Sequence, residues 1–302
     1  MRLGILHARV RQDEKLILAE LDRRGVDYEL IHVEKLVFDL HARPADERWL
    51  GLDVVLERCV SHSRAMAALR ILDAWGIPCV NPWWIGEVCG DKLTTNLALA
   101  SAGVPVPRAR VAFTPASALE AIEELGYPAV LKPAVGSWGR LLARVTDRDS
   151  AEAVLEHKAT LGTYHHSIFY VQEHVEKSGY DIRSFVIGDE TVCAVERHSE
   201  HWITNTARGA VTRGRKVDDA LHEISVAAAR AVGGGVVAVD VFETDRGLLV
   251  NEVNYTMEFK NSIEPTGVDV PAKLVDYLIE VGEGRVVVPA PRHVAARNEA
   301  VT

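Results

Sequence analysis

The spacing of hydrophobic positions changes repeatedly along the chain, and each change predicts the boundary of a structural element. Alternation every second residue indicates a strand, whereas apolar positions three or four residues apart indicate one face of a helix. In the first 80 residues the pattern predicts strands at 3–6, 28–31, 53–56 and 78–80, and helices at 12–24 and 62–75. Glycines at positions 25 and 76 end the two helices. Strands that alternate with helices predict a small parallel α/β domain.

Beyond residue 80 the balance shifts from helix toward strand. The pattern predicts helices at 91–102, 117–125, 150–159, 218–232 and 270–281, strands at 127–132, 141–145, 168–173, 182–187 and 191–196, and a hairpin over 236–254. We therefore expect an α/β fold with an α+β C-terminal part. The predicted units are an N-terminal domain at 1–85, a central subdomain at 86–166, a C-terminal subdomain at 167–285 and a loose tail at 286–302.

Composition excludes several classes of protein. With 302 residues, 48% hydrophobic and 25% charged, the chain suits a soluble protein of two or three domains. A net charge of −9 argues against a general nucleic-acid binder. The four cysteines lack paired spacing, which argues against zinc ligation and disulfides. Without a signal peptide or an apolar run of about 18 residues, we expect a cytoplasmic protein and no membrane partner.

The hairpin offers a candidate metal site. Its two apolar runs flank a turn at 244–247, and Glu252 and Asn254, two residues apart, share one face. Asp240 can lie opposite them on the neighbouring strand. Two carboxylates and an amide oxygen form a hard site suited to Mg²⁺. Taken alone, a half-exposed hairpin with solvated acids explains these residues equally well.

Several polar residues at predicted strand ends offer a candidate anion site. Lys132 ends a strand and precedes a loop whose glycines allow close approach of backbone N–H groups to phosphate. The loop matches no Walker motif, so a plain β-turn is its alternative interpretation. Lys92 lies in the first turn of a helix, a slightly unfavourable place for a cation. After the strand at 168–173, backbone groups suit an adenine edge and a carboxylate suits ribose hydroxyls.

Taken together, these pieces resemble a known superfamily. The chain from about residue 81 to 281 resembles the ATP-grasp carboxylate–amine ligases, most closely the LysX-type ligases of amino-group-carrier lysine biosynthesis, which are related to RimK-type ligases. The motifs that carry this likeness are Asn81-Pro82, Cys89-Gly-Asp-Lys92, Lys132-Pro133, Gly-Ser-Trp-Gly-Arg140, Thr204-Asn-Thr-Ala-Arg-Gly209 and Glu252-Val-Asn-Tyr-Thr-Met-Glu-Phe-Lys-Asn-Ser262. The resemblance implies an ATP-grasp fold preceded by a parallel α/β (pre-ATP-grasp) domain.

The resemblance also implies roles for individual residues. Lys132, Arg197 and Asn205 would act in catalysis, and Asp240, Glu252 and Asn254 would hold Mg²⁺. Contacts to ATP would come from Lys92, Lys132, Gly136, Ser137, Trp138, Gly139, Arg140, Leu141, Leu142, Gln172, Glu173, His174, Val175, Asp181, Arg183, Arg197 and Asn205. Within this set Glu173 and Val175 would meet adenine, and Asp181 would lie on the ribose side. The amino-acid pocket would be lined by Asn205, Thr206, Arg208, Glu258, Phe259, Lys260, Asn261 and Ser262.

The implied reaction joins the α-amino group of α-aminoadipate to the C-terminal glutamate side chain of a small acidic carrier protein (LysW-like). Arg208, Lys260 and Asn261 would receive the carboxylates of the amino acid. Arg208, Arg213, Arg215 and Lys216 are candidates for a positive surface that docks the carrier, although an ordinary solvated loop is as good an interpretation. The likeness further suggests a homo-oligomer, either a dimer or a tetramer.

Three other functions stay open. The same chemistry serves with glutamate or another amino acid, on a carrier of a secondary pathway or on a ribosomal protein tail. A ligase of free small molecules, such as a D-alanine ligase, would share the fold. A silent nucleotide-binding protein is a third possibility, but the intact lysines and the intact Asp240, Glu252 and Asn254 set argue against it.

Overall fold

The computed structural model describes residues 1–41, 47–135, 141–162, 167–204 and 209–288. The helices are α1 (Gln12–Arg24), α2 (Glu47–Leu50), α3 (His62–Ala74), α4 (Trp83–Gly90), α5 (Lys92–Ser101), α6 (Pro115–Leu125), α7 (Arg148–Leu161), α8 (Asp219–Val232), α9 (Ile263–Thr266) and α10 (Val270–Gly282). The strands are β1 (Arg2–His7), β2 (Asp27–His32), β3 (Val54–Arg58), β4 (Cys79–Val80), β5 (Ala109–Ala112), β6 (Ala129–Lys132), β7 (Ala143–Val145), β8 (Phe169–Glu173), β9 (Tyr180–Ile187), β10 (Glu190–His198), β11 (Val211–Arg215), β12 (Val236–Thr244) and β13 (Gly247–Asn254).

The N-terminal sheet confirms the predicted parallel α/β unit. Its strand order is β2-β1-β3-β4, and every pair of neighbours is parallel. Helix α1 has the predicted bounds and ends at Gly25, whose φ of 65° suits a residue without a Cβ. Ile17 and Leu21 of α1 are buried in a core shared with α10 near the other end of the described chain. The first domain is therefore packed directly against the last helix.

The second sheet is antiparallel and small. Its order is β5-β8-β6-β7, and α6 and α7 cover it through a core that includes Ile122, Leu155 and Phe169. Strand β5 was not predicted, because its four residues alternate poorly between buried and exposed positions. The predicted strand ending at Lys132 is confirmed as β6. This sheet delivers Lys132 to one side of the central cleft.

The third sheet has the order β11-β10-β9-β12-β13, and all its neighbours are antiparallel. Helix α8 covers one face, and α10 together with the N-terminal sheet covers the other. The predicted hairpin is confirmed as β12 and β13, joined through Thr244 and Gly247. Asp240 pairs directly with Glu252, because a β-bulge at Asn251 shifts the register by one residue there. The edge strand β11 was missed, because most of its residues are polar and exposed.

No helix in the described part of the chain is long and apolar enough to cross a bilayer. The predicted tail lies beyond the described residues from position 289 onward.

One buried side chain joins the first domain to the third sheet. The Asn81 amide nitrogen donates to the carbonyl oxygens of Val236 and Tyr255 at 2.6 Å each, and its oxygen accepts from the Val236 N–H at 2.8 Å. The neighbouring Gly235 has a φ of +81°, and a Cβ there would lie 2.2 Å from the Asn81 Oδ1 atom. The bonds of Asn81 therefore require a glycine at position 235.

We predict that Asn81→Ala lowers the free energy of unfolding by about 3 kcal/mol, because it leaves buried backbone groups without partners. Urea denaturation of the full chain measures this loss. Asn261→Ala is the matched control, since Asn261 is exposed and its recorded bond uses only its main-chain oxygen. Equal stability of the two variants would contradict the proposed role of Asn81.

Candidate active site

One cavity of about 280 Å³ is lined by the second and third sheets and by residues that follow β3 of the first domain. The third sheet contributes more lining residues than the second sheet, from which Lys132 enters. The predicted site residues that line it are Lys92, Lys132, Leu142, Gln172, Glu173, His174, Val175, Asp181, Arg183, Arg197, Asp240, Glu252, Asn254 and Glu258. The structure therefore brings together residues that are up to 166 positions apart, from Lys92 to Glu258.

Lys132 is held at the cavity by the hairpin. Its Nζ atom donates to the Asn251 Oδ1 atom at 2.8 Å, and Gln172 donates to the same oxygen at 3.2 Å. Burial lowers the pKa of Lys132 to about 8, although the negative charge of Glu252 opposes that shift. Glu252 also faces the second predicted lysine, with 3.8 Å between Lys92 Nζ and Glu252 Oε1. Both lysines therefore lie beside the same carboxylate.

Asp240 is the centre of a buried network of charges. Arg183 holds it with a two-pronged contact at 2.7 and 2.8 Å, and the Arg197 Nη2 atom lies 3.1 Å from its Oδ2 atom. Burial disfavours the charged form of Asp240, but the two guanidiniums outweigh burial and bring its pKa to about 2. Asp240 is therefore an anion at neutral pH.

Arg197 connects this network to Asp181. Its guanidinium donates to both Asp181 oxygens at 2.7 and 2.8 Å, and Thr204 donates to the same carboxylate. Lys177 donates to the Thr204 hydroxyl at 2.7 Å and lies over the Phe242 ring. Burial is the main cause that lowers the pKa of Lys177. Lys177 had no predicted role, because nothing in its local sequence distinguishes it from a surface lysine.

The three predicted metal ligands, Asp240, Glu252 and Asn254, lie together at the cavity. Glu252 and Asn254 point to the same face of β13, and both line the cavity with Asp240. The Asn254 Nδ2 atom is buried and has no hydrogen-bond partner among the described residues. No hydrogen bond of this nitrogen therefore fixes the orientation of the amide. A carboxylate has about four acceptor positions, and the contacts of Asp240 to Arg183 and Arg197 use three. The set fits a hard cation such as Mg²⁺.

The connector after β8 uses its side chain differently from the prediction. The Glu173 carboxylate accepts from Arg108 at 2.8 and 2.9 Å and from Arg246 at 2.6 Å. Burial would raise the pKa of Glu173, but these arginines lower it below the usual value. The Glu173 carboxylate is therefore engaged by arginines, whereas Glu173 was predicted to contact adenine. The main chain at Glu173 and Val175 is the part left to meet a base.

The segment 256–260 is fixed by the N-terminal domain. Thr256 donates to Glu57 at 2.8 Å, and the Met257 carbonyl accepts from Arg58 at 2.7 Å. The Asp13 carboxylate accepts from the main-chain N–H groups of residues 259 and 260 at 2.7 and 2.9 Å. Most of these contacts hold the backbone of the segment, and one holds the Thr256 hydroxyl. The first domain therefore sets the direction of the side chains in this segment.

Of the five residues predicted at 258–262 to line an amino-acid pocket, Glu258 lines the cavity. Phe259 and Ser262 are buried in the core, where the Ser262 hydroxyl donates to the Phe259 carbonyl. Lys260 and Asn261 are exposed to solvent. The prediction is therefore corrected for Phe259 and Ser262, because their side chains are buried in the protein core and do not line the cavity.

Some predicted residues lie outside the described part of the chain. They are Gly136, Ser137, Trp138, Gly139, Arg140, Asn205, Thr206 and Arg208. Next to the first group, Leu142 lines the cavity, and Leu141 is 76% exposed with a φ of 56°.

Further cavity residues had no predicted role. His62 from α3 contacts the Tyr255 hydroxyl at 3.0 Å, and a Cβ at Gly90 would lie 2.2 Å from the His62 ring. Burial lowers the pKa of His62, which keeps the imidazole neutral at pH 7. The contact between His62 and Tyr255 has no local signal in the sequence, because it joins positions 193 residues apart.

Two family models match successive parts of the chain. One, described as the LysX preATP-grasp domain, matches residues 3–88, and the other, described as the RimK-like ATP-grasp domain, matches residues 89–278. The matched ranges meet within α4, close to the predicted end of the first domain.

Curated relatives and solved structures cover nearly the same range. The glutamate–LysW ligase ArgX of Sulfurisphaera tokodaii is 34% identical and covers 93% of this chain and 99% of its own. The α-aminoadipate–LysW ligase LysX of the same organism is 34% identical, over 91% and 97%. The crystal structure of a RimK domain protein from Sphaerobacter thermophilus superposes with a TM-score of 0.77 at 28% identity, over 92% and 100%. A D-alanine–D-alanine ligase of Bacillus anthracis complexed with ATP shares the fold, with a TM-score of 0.68 at 18% identity, over 94% and 98%.

We predict that Lys132 titrates near pH 8, whereas solvent-exposed lysines titrate near 10.4. NMR titration of ¹³C-methylated lysines measures both, and Lys132→Arg assigns the signal. Glu252→Gln should lower the pKa of Lys132 further, because it removes a negative charge that favours the protonated form. A Lys132 midpoint above pH 10 would contradict the burial that the structure shows.

Proposed function

Because the chain belongs to the RimK-like ATP-grasp ligases and carries an N-terminal domain of the LysX type, we propose that it extends a LysW-like carrier protein. The enzyme is an ATP-dependent carboxylate–amine ligase. In the proposed reaction, the α-amino group of α-aminoadipate forms an amide with the side-chain carboxylate of the carrier's C-terminal glutamate. The observation that supports this proposal most is the convergence of cationic and acidic side chains on one cavity.

The proposed chemistry has two steps. A carboxylate oxygen of the carrier attacks the γ-phosphorus of ATP, the bond from that phosphorus to the bridging oxygen breaks, and ADP leaves. The amine nitrogen then attacks the carbon of the acyl phosphate, the C–O bond to phosphate breaks, and the amine loses a proton. The products are the amide, ADP and inorganic phosphate. Phosphoryl transfer of this kind depends on positioning and charge stabilisation rather than on a protein nucleophile.

The cavity supplies that charge stabilisation. Its cationic side chains are Lys92, Lys132, Lys177, Arg183 and Arg197. Glu173 and Glu258 also line the cavity, but they are paired with arginines that do not line it. The five cations outnumber the other three carboxylates, Asp181, Asp240 and Glu252, so this part of the wall favours a triphosphate. Lys132 and Arg197 are fixed by their contacts to Asn251 and Asp181, and little reorganisation is needed when charge develops.

We further propose that Asp240, Glu252 and Asn254 hold Mg²⁺. The ion would neutralise charge on the phosphoryl group in transfer. Two arginines keep Asp240 ionised, and Glu252 lies beside both lysines at the cavity. The amide of Asn254 contributes an uncharged oxygen at the end of β13.

Three of the four residues predicted for carrier docking, Arg213, Arg215 and Lys216, lie in the described part of the chain. Arg215 is engaged by Glu196 at 3.2 Å and by Glu243 at 2.9 Å, so its charge is largely neutralised. Arg213 and Lys216 are exposed on and just after β11. We propose that these two residues receive part of the acidic carrier, since complementary charge steers association.

Glutamate is the second candidate for the amine. Relatives named for glutamate and for α-aminoadipate are each 34% identical to this chain, so identity favours neither amino acid. Both amino acids present the same α-amino and α-carboxylate groups and differ by one methylene in the side chain. A methylene in a pocket is worth about 1–3 kcal/mol in discrimination.

We predict that the protein, incubated with ATP, Mg²⁺, α-aminoadipate and a carrier ending in glutamate, gives a carrier that is heavier by one α-aminoadipate residue. Intact-protein mass spectrometry measures the increase, and ADP release should accompany it in equal amount. A carrier whose last residue is glutamine is the control, because it lacks the reacting carboxylate. An increase with glutamate alone would replace α-aminoadipate as the substrate, and no extension with any amino acid would refute carrier ligation.

We predict that Glu252→Gln weakens Mn²⁺ binding in the presence of an ATP analogue by about tenfold or more, because one charged ligand is lost. Electron paramagnetic resonance of free Mn²⁺ measures binding without turnover. Glu252 is preferred to Asp240 here, since breaking a buried ion pair costs about 3–5 kcal/mol of stability and confuses the two effects. Glu243→Gln, on the same hairpin, is the control. Unchanged Mn²⁺ affinity in Glu252→Gln would refute the metal site.

A further inference from the structure

We propose that Glu258 and Arg11 form the subsite for the α-amino and α-carboxylate groups of the amino-acid substrate. The inference rests on the proposed function for the kind of substrate, and it assigns recognition of that substrate to the N-terminal domain. Glu258 would accept hydrogen bonds from the ammonium group, and Arg11 would donate to the carboxylate. Arg11 had no predicted role; it is not itself a lining residue, but it contacts Glu258, which lines the cavity. Lys260 and Asn261, which were predicted for the carboxylates, are exposed and do not line the cavity, and Arg208 lies outside the described residues.

The first argument is the state of the carboxylates on the cavity wall. An ammonium group needs an anion that keeps acceptor capacity and surface. Glu173 is taken up by Arg108 and Arg246, and Asp181 and Asp240 are buried against arginines. Glu252 is 38% exposed but belongs to the metal set and the lysines. Glu258 remains, with a side chain that is 35% exposed.

The second argument is the geometry of Arg11. Its guanidinium donates through Nε and Nη2 to Glu14 at 3.1 and 3.0 Å, and through Nη1 to Glu258 at 2.5 Å. A guanidinium has five N–H groups, so two stay available after these contacts with described residues. Its side chain is 19% exposed. Arginine forks suit carboxylate recognition, and this fork is already oriented by Glu14.

The third argument is preorganisation. Glu14 accepts from Arg11 and also from Arg58 at 2.8 Å, and Arg58 holds the Met257 carbonyl. Asp13 holds the main-chain N–H groups that follow Glu258. Both members of the Arg11 and Glu258 pair are thus fixed before substrate arrives, which reduces the entropy lost on binding. A cation and an anion side by side match the zwitterionic head of an α-amino acid.

The fourth argument is the charge along the cavity. An ammonium group is repelled by the lysines and arginines that line the phosphate region. Near Glu258 the wall is formed instead by Cys59, Val60, His62, Tyr255 and Thr256. None of these five carries a positive charge at neutral pH, since burial lowers the pKa of His62. The amine is therefore drawn to this part of the cavity.

The test measures amino-acid binding without the carrier. Isothermal titration calorimetry of the full chain with Mg²⁺ and a non-hydrolysable ATP analogue gives Kd values for L-α-aminoadipate and L-glutamate. We expect Glu258→Gln to raise both Kd values by about tenfold or more, because a charge-assisted hydrogen bond is lost. The increase should be the same factor for both amino acids, since both have the same head group. The Kd of the nucleotide analogue should not change.

Glu264→Gln is the matched control, because it removes an exposed carboxylate six residues further along the chain. Arg11→Lys keeps the charge but loses the fork, so it should weaken L-glutamate while leaving the binding of its α-amide, isoglutamine, nearly unchanged. N-acetylglutamate, which has no ammonium group, should show no difference between the wild type and Glu258→Gln. Thermal unfolding of each variant separates a loss of fold from a loss of contact.

The outcomes separate this inference from the proposed function. Unchanged amino-acid affinity in Glu258→Gln, or a wild type that binds neither amino acid, overturns the subsite. An equal loss of nucleotide affinity also overturns it, because Glu258 would then act on the whole site. Amino-acid binding that depends on Glu258, together with failure to extend any carrier, supports the subsite and refutes carrier ligation.

Discussion

The requirement that buried charges be paired governs the arrangement of this molecule. Asp240 and Asp181 are buried, and each carboxylate is in contact with a guanidinium. Arg197 serves both carboxylates and thereby joins β9, β10 and β12 across the wall of the cavity. The same contacts fix the cations that a triphosphate needs. Pairing that stabilises the third sheet therefore also prepares the chemistry.

The N-terminal domain has a larger part than that of a cover. Asp13 and Arg58 hold the segment 256–260 by its backbone, Glu57 holds it by the Thr256 hydroxyl, and Asn81 holds the start of β12. The wall that carries Glu258 is therefore shaped by residues of the first domain.

Periodicity was sufficient to predict much of the fold and the existence of the hairpin. Alternation around a short turn accounts for the pairing from Thr244–Gly247 to Val241–Val250. Asp240 pairs with Glu252 because a β-bulge at Asn251 shifts the register by one residue, and that bulge has no signal in the alternation. The partners of Glu173 and of Glu258 were not predictable, since Arg246 and Arg11 lie 73 and 247 residues away. Such contacts are set by how sheets pack, and a single sequence holds no local signal for them. Strand β11 was missed for a different reason: an exposed edge has no apolar period.

The contact between α1 and the end of the chain has a consequence for biosynthesis. Ile17 and Leu21 bury their side chains in the core that contains Leu274 and Leu278, and Arg24 donates to the Ala272 carbonyl. A ribosome synthesises α10 long after α1, so a nascent first domain has an uncovered apolar face until α10 emerges. Domains generally fold as units during synthesis, but here the first unit is completed by a much later helix. Truncation after residue 260 would therefore remove part of the core of the N-terminal domain.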